Sequence, residues 1–318
     1  MQKTGLYWLG NDLRRHDNVC FAKASESVQH LLVVYCVDPQ WLNAGRYQQL
    51  RMGQHRRQFL AQSLKQLAQE LESEGQQLLI FAGDPLTVLP KLIAQYEVEQ
   101  VFRSLHPAFD EQQQWHTLRD TLTQSYPQQA IAWHELDNLS LINQHDIMRA
   151  CDVDVFNTPV PVNALNEQAE YQTNTFIPSF SKFRRIIETA IKKQQLILDP
   201  PFTSSHALPK PAALSPTNYA QLAEYWVNDI DSALELNSTD NTNDSDNKTT
   251  QSEDAFCGGE RSAQAHLQHY FSDLRAHQYK SVRNSLGGWE NSTKFSAWLA
   301  NGSLSARQVI AALVEFEQ

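Results

Sequence analysis

Short apolar runs alternate with longer amphipathic segments along the first 136 residues. The polar segments between the runs have helical periodicity, and this alternation is typical of a parallel sheet covered by helices on both faces. We therefore predict an α/β fold built on an open, doubly wound parallel sheet. The five predicted strands are Leu6–Leu9, Leu31–Val37, Leu78–Ala82, Gln100–Leu105 and Ala130–Leu136.

Two helices of this region have the clearest signals. Leucines at 60, 64, 67 and 71 recur at spacings of four, three and four within the segment 51–72, so we expect them to face the sheet. Asp84 followed by Pro85 predicts that another helix starts after the third strand. Further helices are predicted at Ser179–Lys193, Pro216–Leu236, Glu260–Arg275, Tyr279–Ser285, Thr293–Leu299 and Ser305–Phe316.

The pattern changes after residue 136, where prolines accumulate and periodicity weakens. Residues 237–254 contain no apolar side chain and predict a disordered acidic linker. After the linker only helical patterns remain. The predicted organisation is an α/β domain over 1–136, a connector over 137–211, a leading helix over 212–236, the linker over 237–257 and the start of an all-helical domain over 258–318.

The formal net charge of −10 is concentrated in one stretch. Between Asp229 and Asp254 eight acids stand against one base, which accounts for −7 and leaves −3 for the rest. Nucleic acid is therefore not excluded as a partner, although no basic stripe is evident. One early helix carries a basic group that we interpret as a solvated face: Arg46, Arg51, Arg56 and Arg57.

The expected location is the cytoplasm, without a signal peptide. No apolar run reaches the roughly 18 residues needed to span a bilayer, so no membrane partner is expected. The four cysteines are far apart and form no zinc motif, which predicts reduced thiols and no metal site.

Two polar clusters are candidate sites. The first follows the first strand, where an ion-pair and capping network of Asp12, Arg14 and Asp17 is favoured over catalysis. The second joins Tyr279 to Ser292–Ser296 ahead of an apolar helix, an arrangement that can seat a phosphate. From these residues alone an ordinary helix cap is the better explanation. Phosphate-loop and common catalytic motifs are absent, so no catalytic residue is assigned.

Motifs at both ends of the chain resemble those of the photolyase/cryptochrome family, and their residues are most similar to those of DASH-type cryptochromes. They are Leu6–Asn18, Val34–Pro39, Gly258–Arg261, Tyr279–Asn284, Ser292–Ser296 and Gly302–Gln308. The resemblance implies an N-terminal antenna domain and a partial helical domain that binds FAD. The implied FAD-phosphate contacts are Tyr279, Ser292, Thr293, Lys294, Phe295 and Ser296.

The resemblance also implies a light-dependent activity. In the family, photoexcited reduced flavin donates an electron to a cyclobutane pyrimidine dimer in DNA, and DASH members favour single-stranded DNA or act in light signalling. The helical domain is expected to be incomplete, which would impair this chemistry and promote self-association through exposed helices. The alternative is a non-enzymatic α/β module that binds a nucleotide-like ligand or a partner.

One departure concerns the family's folate antenna, 5,10-methenyltetrahydrofolate. The resemblance implies a folate-contacting carboxylate near the end of the fourth strand, and His106 stands there instead. This replacement argues against folate binding, and Asp110 is expected to cap a helix. Trp298 is expected to be a core aromatic, and no tryptophan matches the family's electron relay.

Overall fold

The computed structural model describes residues 3–45, 47–126, 128, 130–143, 146–147, 150, 179–202, 206–212, 222–236, 256–272, 275–285 and 288–318. The strands are β1 (Thr4–Trp8), β2 (His30–Val37), β3 (Leu78–Ala82), β4 (Gln100–Ser104), β5 (Ala132–Leu136) and β6 (Lys210–Pro211). The α-helices are α1 (Val19–Ser27), α2 (Gln54–Ser73), α3 (Pro85–Gln95), α4 (Phe109–Ser125), α5 (Phe180–Lys192), α6 (Ile230–Ala233), α7 (Glu260–Ser272), α8 (Arg275–Val282), α9 (Ser296–Asn301) and α10 (Ala306–Glu317). Short 3-10 turns lie at Pro39–Trp41 and Trp289–Asn291.

The main sheet is parallel, with strand order β3-β2-β1-β4-β5. The two residues of β6 pair with the start of β2. From β1 the chain adds β2 and β3 on one side of the sheet, and it then adds β4 and β5 on the other side. The strand order therefore reverses between β1 and β4, which flank the topological switch point. This arrangement confirms the predicted doubly wound α/β fold.

Two apolar cores cover the two faces of the sheet because successive residues of each strand point to opposite sides. On one face, α1 and α2 pack over side chains that include Tyr7 and Val33. On the other face, α3 and α4 pack over side chains that include Leu6 and Val34. All four leucines predicted to face the sheet are buried, and Asp84 caps α3 by accepting a hydrogen bond from the Leu86 N–H at 3.0 Å.

The prediction of a helix over Pro216–Leu236 is wrong for the part that the structure describes, residues 222–236. The segment pairs instead with β3: the Ala82 N–H donates to the Tyr225 carbonyl at 2.7 Å, and the Val227 N–H donates to the Ile80 carbonyl at 3.0 Å. Edge strands carry unpaired backbone groups, and satisfying those of β3 overrides the helical pattern. Only the four residues of α6 are helical.

The C-terminal helices build a third core against α2. Trp298 and Leu304 are buried in it with Leu267 of α7, and Phe59 of α2 packs against them. The Trp298 indole N–H donates to the Cys257 carbonyl at 2.9 Å. Trp298 is therefore a core aromatic, as predicted.

The contacts group the described residues into two units. One comprises those within 1–139 and 201–318, and the other comprises those within 140–200. In the second unit, α5 buries Ile187 and Ala190 against Leu196, and the Ser179 hydroxyl caps the helix by accepting from the Lys182 N–H at 3.3 Å. Most of the predicted acidic linker lies outside the described residues, and the domain boundaries stay a prediction. Among the described helices, none is long and apolar enough to cross a membrane.

Candidate functional site

The polar residues that follow β1 form a buried network around Asp12. Its carboxylate accepts hydrogen bonds from the hydroxyls of Tyr7 and Ser104 and from the Gly10 N–H at 2.8 Å. Burial, followed by the charge of Asp12, raises the pKa of Tyr7 well above its usual value. The helix cap of α1 is Asn18, which accepts from the Cys20 N–H at 3.0 Å. Asp12 therefore has a structural role, as predicted. The predicted capping role is wrong, because Asn18 caps α1 and Asp12 makes no ion pair with a described residue.

Arg14 extends this network to distant parts of the chain. Its guanidinium donates to the Asn138 carbonyl at 2.7 Å, to the Asp17 carbonyl at 2.8 Å and to the Gly302 carbonyl at 3.1 Å. Asp17 in turn pairs with Arg307 at 2.8 Å. These contacts hold the β1 turn against the C-terminal helices, so the role of Arg14 and Asp17 is structural.

A small cavity opens at the carboxyl ends of β1 and β4, where a doubly wound sheet places its crevice. Its volume is about 70 Å³. Its lining includes Leu9, Asn11, Asp38, Arg103, His106 and Glu111.

His106 stands where the resemblance implies a folate-contacting carboxylate. Its Nε2 lies 2.8 Å from the Asn11 amide nitrogen, and its Nδ1 lies 3.7 Å from a carboxylate oxygen of Glu111. Burial lowers the pKa of His106. A cofactor pocket usually has a volume of about 300–1,000 Å³. The cavity that His106 lines is therefore smaller than a usual cofactor pocket.

The prediction that Asp110 caps a helix is wrong. The cap position of α4 is Ala108, which makes no side-chain cap hydrogen bond. Because the helix begins at Phe109, Asp110 already lies in the first turn. There its carboxylate favours the helix through the positive end of the helix dipole.

The segment Ser292–Ser296 leads into α9, but the helix starts later than predicted. It begins at Ser296 rather than Thr293, and Phe295 occupies the cap position without a side-chain cap hydrogen bond. Two features delay the start: Lys294 has a left-handed φ of 56°, and the Phe295 side chain is buried beside Tyr270 at 5.3 Å between ring centroids. Capping therefore does not use the hydroxyls of Ser292 and Thr293.

This segment presents a set of hydrogen-bond donors. Within the described part of the chain, nothing accepts from the backbone N–H groups of residues 292–296 or from the hydroxyls of Ser292, Thr293 and Ser296. Lys294 Nζ lies 5.7 Å from the centre of the Trp289 ring and pairs with no described carboxylate. Clustered backbone N–H groups, hydroxyls and an ammonium are suited to phosphate.

Tyr279 lies near this segment but outside it. Its helix, α8, packs against the 3-10 turn Trp289–Asn291, which immediately precedes Ser292. The Tyr279 side chain is 41% exposed. The structure thus places Tyr279 and the Ser292–Ser296 segment on neighbouring elements. No group of three His, Cys, Asp or Glu side chains able to hold a metal exists among the described residues.

His266 supports the segment from α7, and sequence reasoning missed it. Its Nε2 lies 2.8 Å from the Thr293 carbonyl, and its ring stacks on Trp298 at 5.0 Å. Its only sequence signal is its place on the helix that carries Ala263, Leu267 and Tyr270. That signal does not identify the carbonyl that His266 contacts.

The His266 contact predicts a pH dependence. Burial lowers the pKa of His266 from 6.5. As pH falls below about 6.5, the unfolded chain binds this proton first, so the contribution of His266 to stability decreases. An NMR titration of the ring should give a midpoint below 6.5, and His266→Gln should remove this component of acid destabilisation. A midpoint at or above 6.5 would contradict the burial argument.

The model of the DNA photolyase family matches residues 5–182, which is more than half of the 318 residues. The chain belongs to the photolyase and cryptochrome family. The motifs at both ends of the sequence therefore led to the correct family.

Individual relatives agree with this membership. A DASH-type cryptochrome of Idiomarina loihiensis is 31% identical over 315 residues, which cover 99% of this chain and 58% of that protein. The crystal structure of a Synechocystis cryptochrome is 27% identical, with a TM-score of 0.72, and the match covers 99% of this chain and 56% of that one. The structure of a Sulfolobus tokodaii photolyase with two FAD molecules is 15% identical and has a TM-score of 0.61. The match covers 97% of this chain and 54% of that one. At this identity it supports the fold alone. The chain thus spans a little over half the length of the relatives it matches.

Proposed function

We propose that this chain provides the α/β domain and the phosphate-binding segment of a DASH-type cryptochrome that binds FAD. The observation that carries the proposal is the set of unused donors at Ser292–Ser296, since a flavin dinucleotide presents a diphosphate to its protein. Ser292, Thr293, Lys294 and Ser296 would hold the phosphates with side chains and backbone N–H groups. Phe295 would offer its N–H only, because its ring is buried.

The residues around the segment would support the same site. His266 would hold the Thr293 carbonyl, and the partly exposed Tyr279 hydroxyl would reach the diphosphate from the neighbouring helix. When bound, FAD supplies light-driven electron transfer. The task of these side chains is to bind and orient the cofactor.

The full activity is the second part of the proposal and rests on family membership. It is electron donation to cyclobutane pyrimidine dimers, with single-stranded DNA favoured, or blue-light photoreception. A cytoplasmic location is also proposed, consistent with free thiols at Cys20, Cys36 and Cys257; Cys151 lies outside the described residues.

Self-association remains part of the same proposal. A groove of about 510 Å³ lies along α7 and α10, and Val314 on α10 is 48% exposed. Sedimentation of the 318-residue chain would measure association directly.

FAD binding tests the central proposal. Lys294→Ala should weaken FAD binding about tenfold or more, because a hydrogen bond to a charged group contributes about 1.5–3 kcal/mol. Flavin fluorescence titration of the purified full chain measures the affinity. The molar ratio of FAD released on denaturation measures occupancy.

The matched control removes an exposed lysine elsewhere. Lys23→Ala on α1 takes away the same charge and should leave FAD binding unchanged. Equal affinities of the wild type and Lys294→Ala would place the cofactor elsewhere. That result would favour the alternative of an α/β module with its own nucleotide-like ligand.

A further inference from the structure

Lys294 is a half-buried cation without an acidic partner. Within the described part of the chain its ammonium pairs with no carboxylate. Taking a charge out of water is costly unless another group compensates for it. Here the ammonium lies over an aromatic ring, with Nζ 5.7 Å from the centre of the Trp289 ring. This distance is within the range of about 6 Å over which the negative face of an aromatic ring attracts a cation.

The Trp289 ring is itself held by two neighbours. Phe256 packs edge-on against it with ring centroids 4.5 Å apart, and His266 packs edge-on at 5.7 Å. Aromatic rings favour this T-shaped arrangement. The Nε2 atom of His266 also contacts the Thr293 carbonyl at 2.8 Å. The ring and the backbone just before Lys294 therefore share one support.

The backbone of Lys294 fixes where its side chain starts. Its φ of 56° lies in the left-handed region, which is unfavourable for a residue with a Cβ. Such a conformation persists where the surrounding structure holds it, and the next residue, Phe295, is buried beside Tyr270. A side chain that the protein already holds loses less conformational freedom when a ligand binds. The site is thus prepared before the ligand arrives.

We propose that Trp289 is a positioning residue whose ring holds the Lys294 ammonium in place for a diphosphate. This inference rests on the proposed function, because Lys294 is one of its phosphate contacts. The ring does not itself hold the phosphates, since its negative face attracts cations and repels anions. The effect of Trp289 on binding therefore passes through Lys294.

The contact is tested first without any ligand. In the full chain with isotope-labelled lysine, the ring current of Trp289 should shift the side-chain protons of Lys294 upfield. Trp289→Leu should return this NMR signal to the position of an exposed lysine, and Lys294→Arg identifies the signal by removing it. A Lys294 signal without the upfield shift in the wild type would overturn the inference.

Binding of inorganic diphosphate and of FAD to the full chain then tests the effect on the site. Trp289→Leu should weaken diphosphate binding about three- to tenfold, as expected for the loss of a partly buried cation–π contact. Trp289→Phe should weaken it less, because a phenyl ring attracts a cation less strongly than an indole does. In a Lys294→Ala background, Trp289→Leu should have no further effect, because the group through which it acts is absent.

The matched control removes the aromatic partner of another lysine. Tyr225 lies under Lys91, with Nζ 4.6 Å from the ring centre, on a part of the chain that pairs with β3. Tyr225→Leu should leave diphosphate and FAD binding within about twofold of the wild type, since well-separated sites act independently.

Three binding results would overturn the inference. They are equal diphosphate affinities of the wild type and both Trp289 variants, absence of diphosphate binding by the wild type, and the same loss from Trp289→Leu with and without Lys294. The last result would show that Trp289 acts by packing alone. Unfolding curves verify that each variant is folded, and Trp289→Phe keeps the test decisive if Trp289→Leu unfolds.

The proposed function is judged by a different result. If Lys294→Ala weakens diphosphate binding but leaves FAD binding unchanged, the flavin lies elsewhere and the role of Trp289 stands. If Lys294→Ala weakens FAD binding and both Trp289 variants do not, the flavin site stands and Trp289 is not its positioning residue.

Discussion

Asp17→Asn is expected to lower the free energy of unfolding by about 3–5 kcal/mol, the usual effect of removing one partner of a buried ion pair. The Asp17 side chain is 1% exposed and that of Arg307 is 10% exposed, and their closest nitrogen and oxygen lie 2.8 Å apart. Without the carboxylate, the Arg307 guanidinium keeps its charge in a buried place. Asp17 also accepts a hydrogen bond from the Phe202 N–H at 2.7 Å, so the loss extends to a third segment.

Substitution by asparagine removes the charge of Asp17 and keeps its backbone conformation. Asp17 has a left-handed φ of 50°, which asparagine tolerates as well as aspartate does. Urea unfolding of the full chain, followed by circular dichroism, measures the change. The control is Glu224→Gln, which breaks a surface pair with Lys91 at 3.8 Å and should change stability by less than about 1 kcal/mol. Similar unfolding midpoints for the two variants would show that the Asp17 pair does not hold the C-terminal helices.

Gly302→Ala is expected to destabilise the protein by more than about 3 kcal/mol. Gly302 ends α9 with a left-handed φ of 74°. An added Cβ would lie 2.0 Å from the Asn11 carbonyl oxygen, so one backbone must move away from the other. That movement would break the hydrogen bonds from Arg14 to the Gly302 carbonyl and from the Leu13 N–H to the Asn301 carbonyl, both 3.1 Å long.

The matched control is Gly10, the neighbour of Asn11 in the turn after β1. Gly10→Ala would meet no atom within 4 Å, and its φ is outside the left-handed region, so its unfolding midpoint should remain close to that of wild type. A Gly302→Ala variant as stable as Gly10→Ala would mean that the two backbones can separate without loss. Because α9 follows the Ser292–Ser296 segment, Gly302→Ala should also reduce flavin binding.

The sequence by itself determined the strands, the sheet-facing leucines of α2 and the start of α3. These signals are local: apolar period, a capping aspartate and a proline act within one or two turns of chain. The family also followed from the sequence, because its motifs stand in order at both ends. The residues proposed to contact the phosphates came from those motifs, since a helix cap was the better explanation of the hydroxyls and Lys294 alone.

Only the tertiary structure decided where residues distant in sequence meet. Arg14 bonds to Asn138 and Gly302, which are 124 and 288 residues away, and Arg307 pairs with Asp17 across 290 residues. No local pattern carries such contacts. The strand-like pairing of Tyr225 with β3 also went unpredicted, because it depends on an edge of the sheet that the local sequence does not contain.

The contact between Trp289 and Lys294 combines the two levels. Side chains on one helix face are three or four positions apart, and the spacing from 289 to 294 fits neither, so no local period links the two residues. The 3-10 turn at Trp289 and the left-handed φ of Lys294 bring the ring and the ammonium together. Phe256 and His266 hold the ring from other parts of the chain. Residue identities set the charge and the ring, whereas folding decides which groups meet, because backbone conformation and core packing place side chains that no local pattern connects.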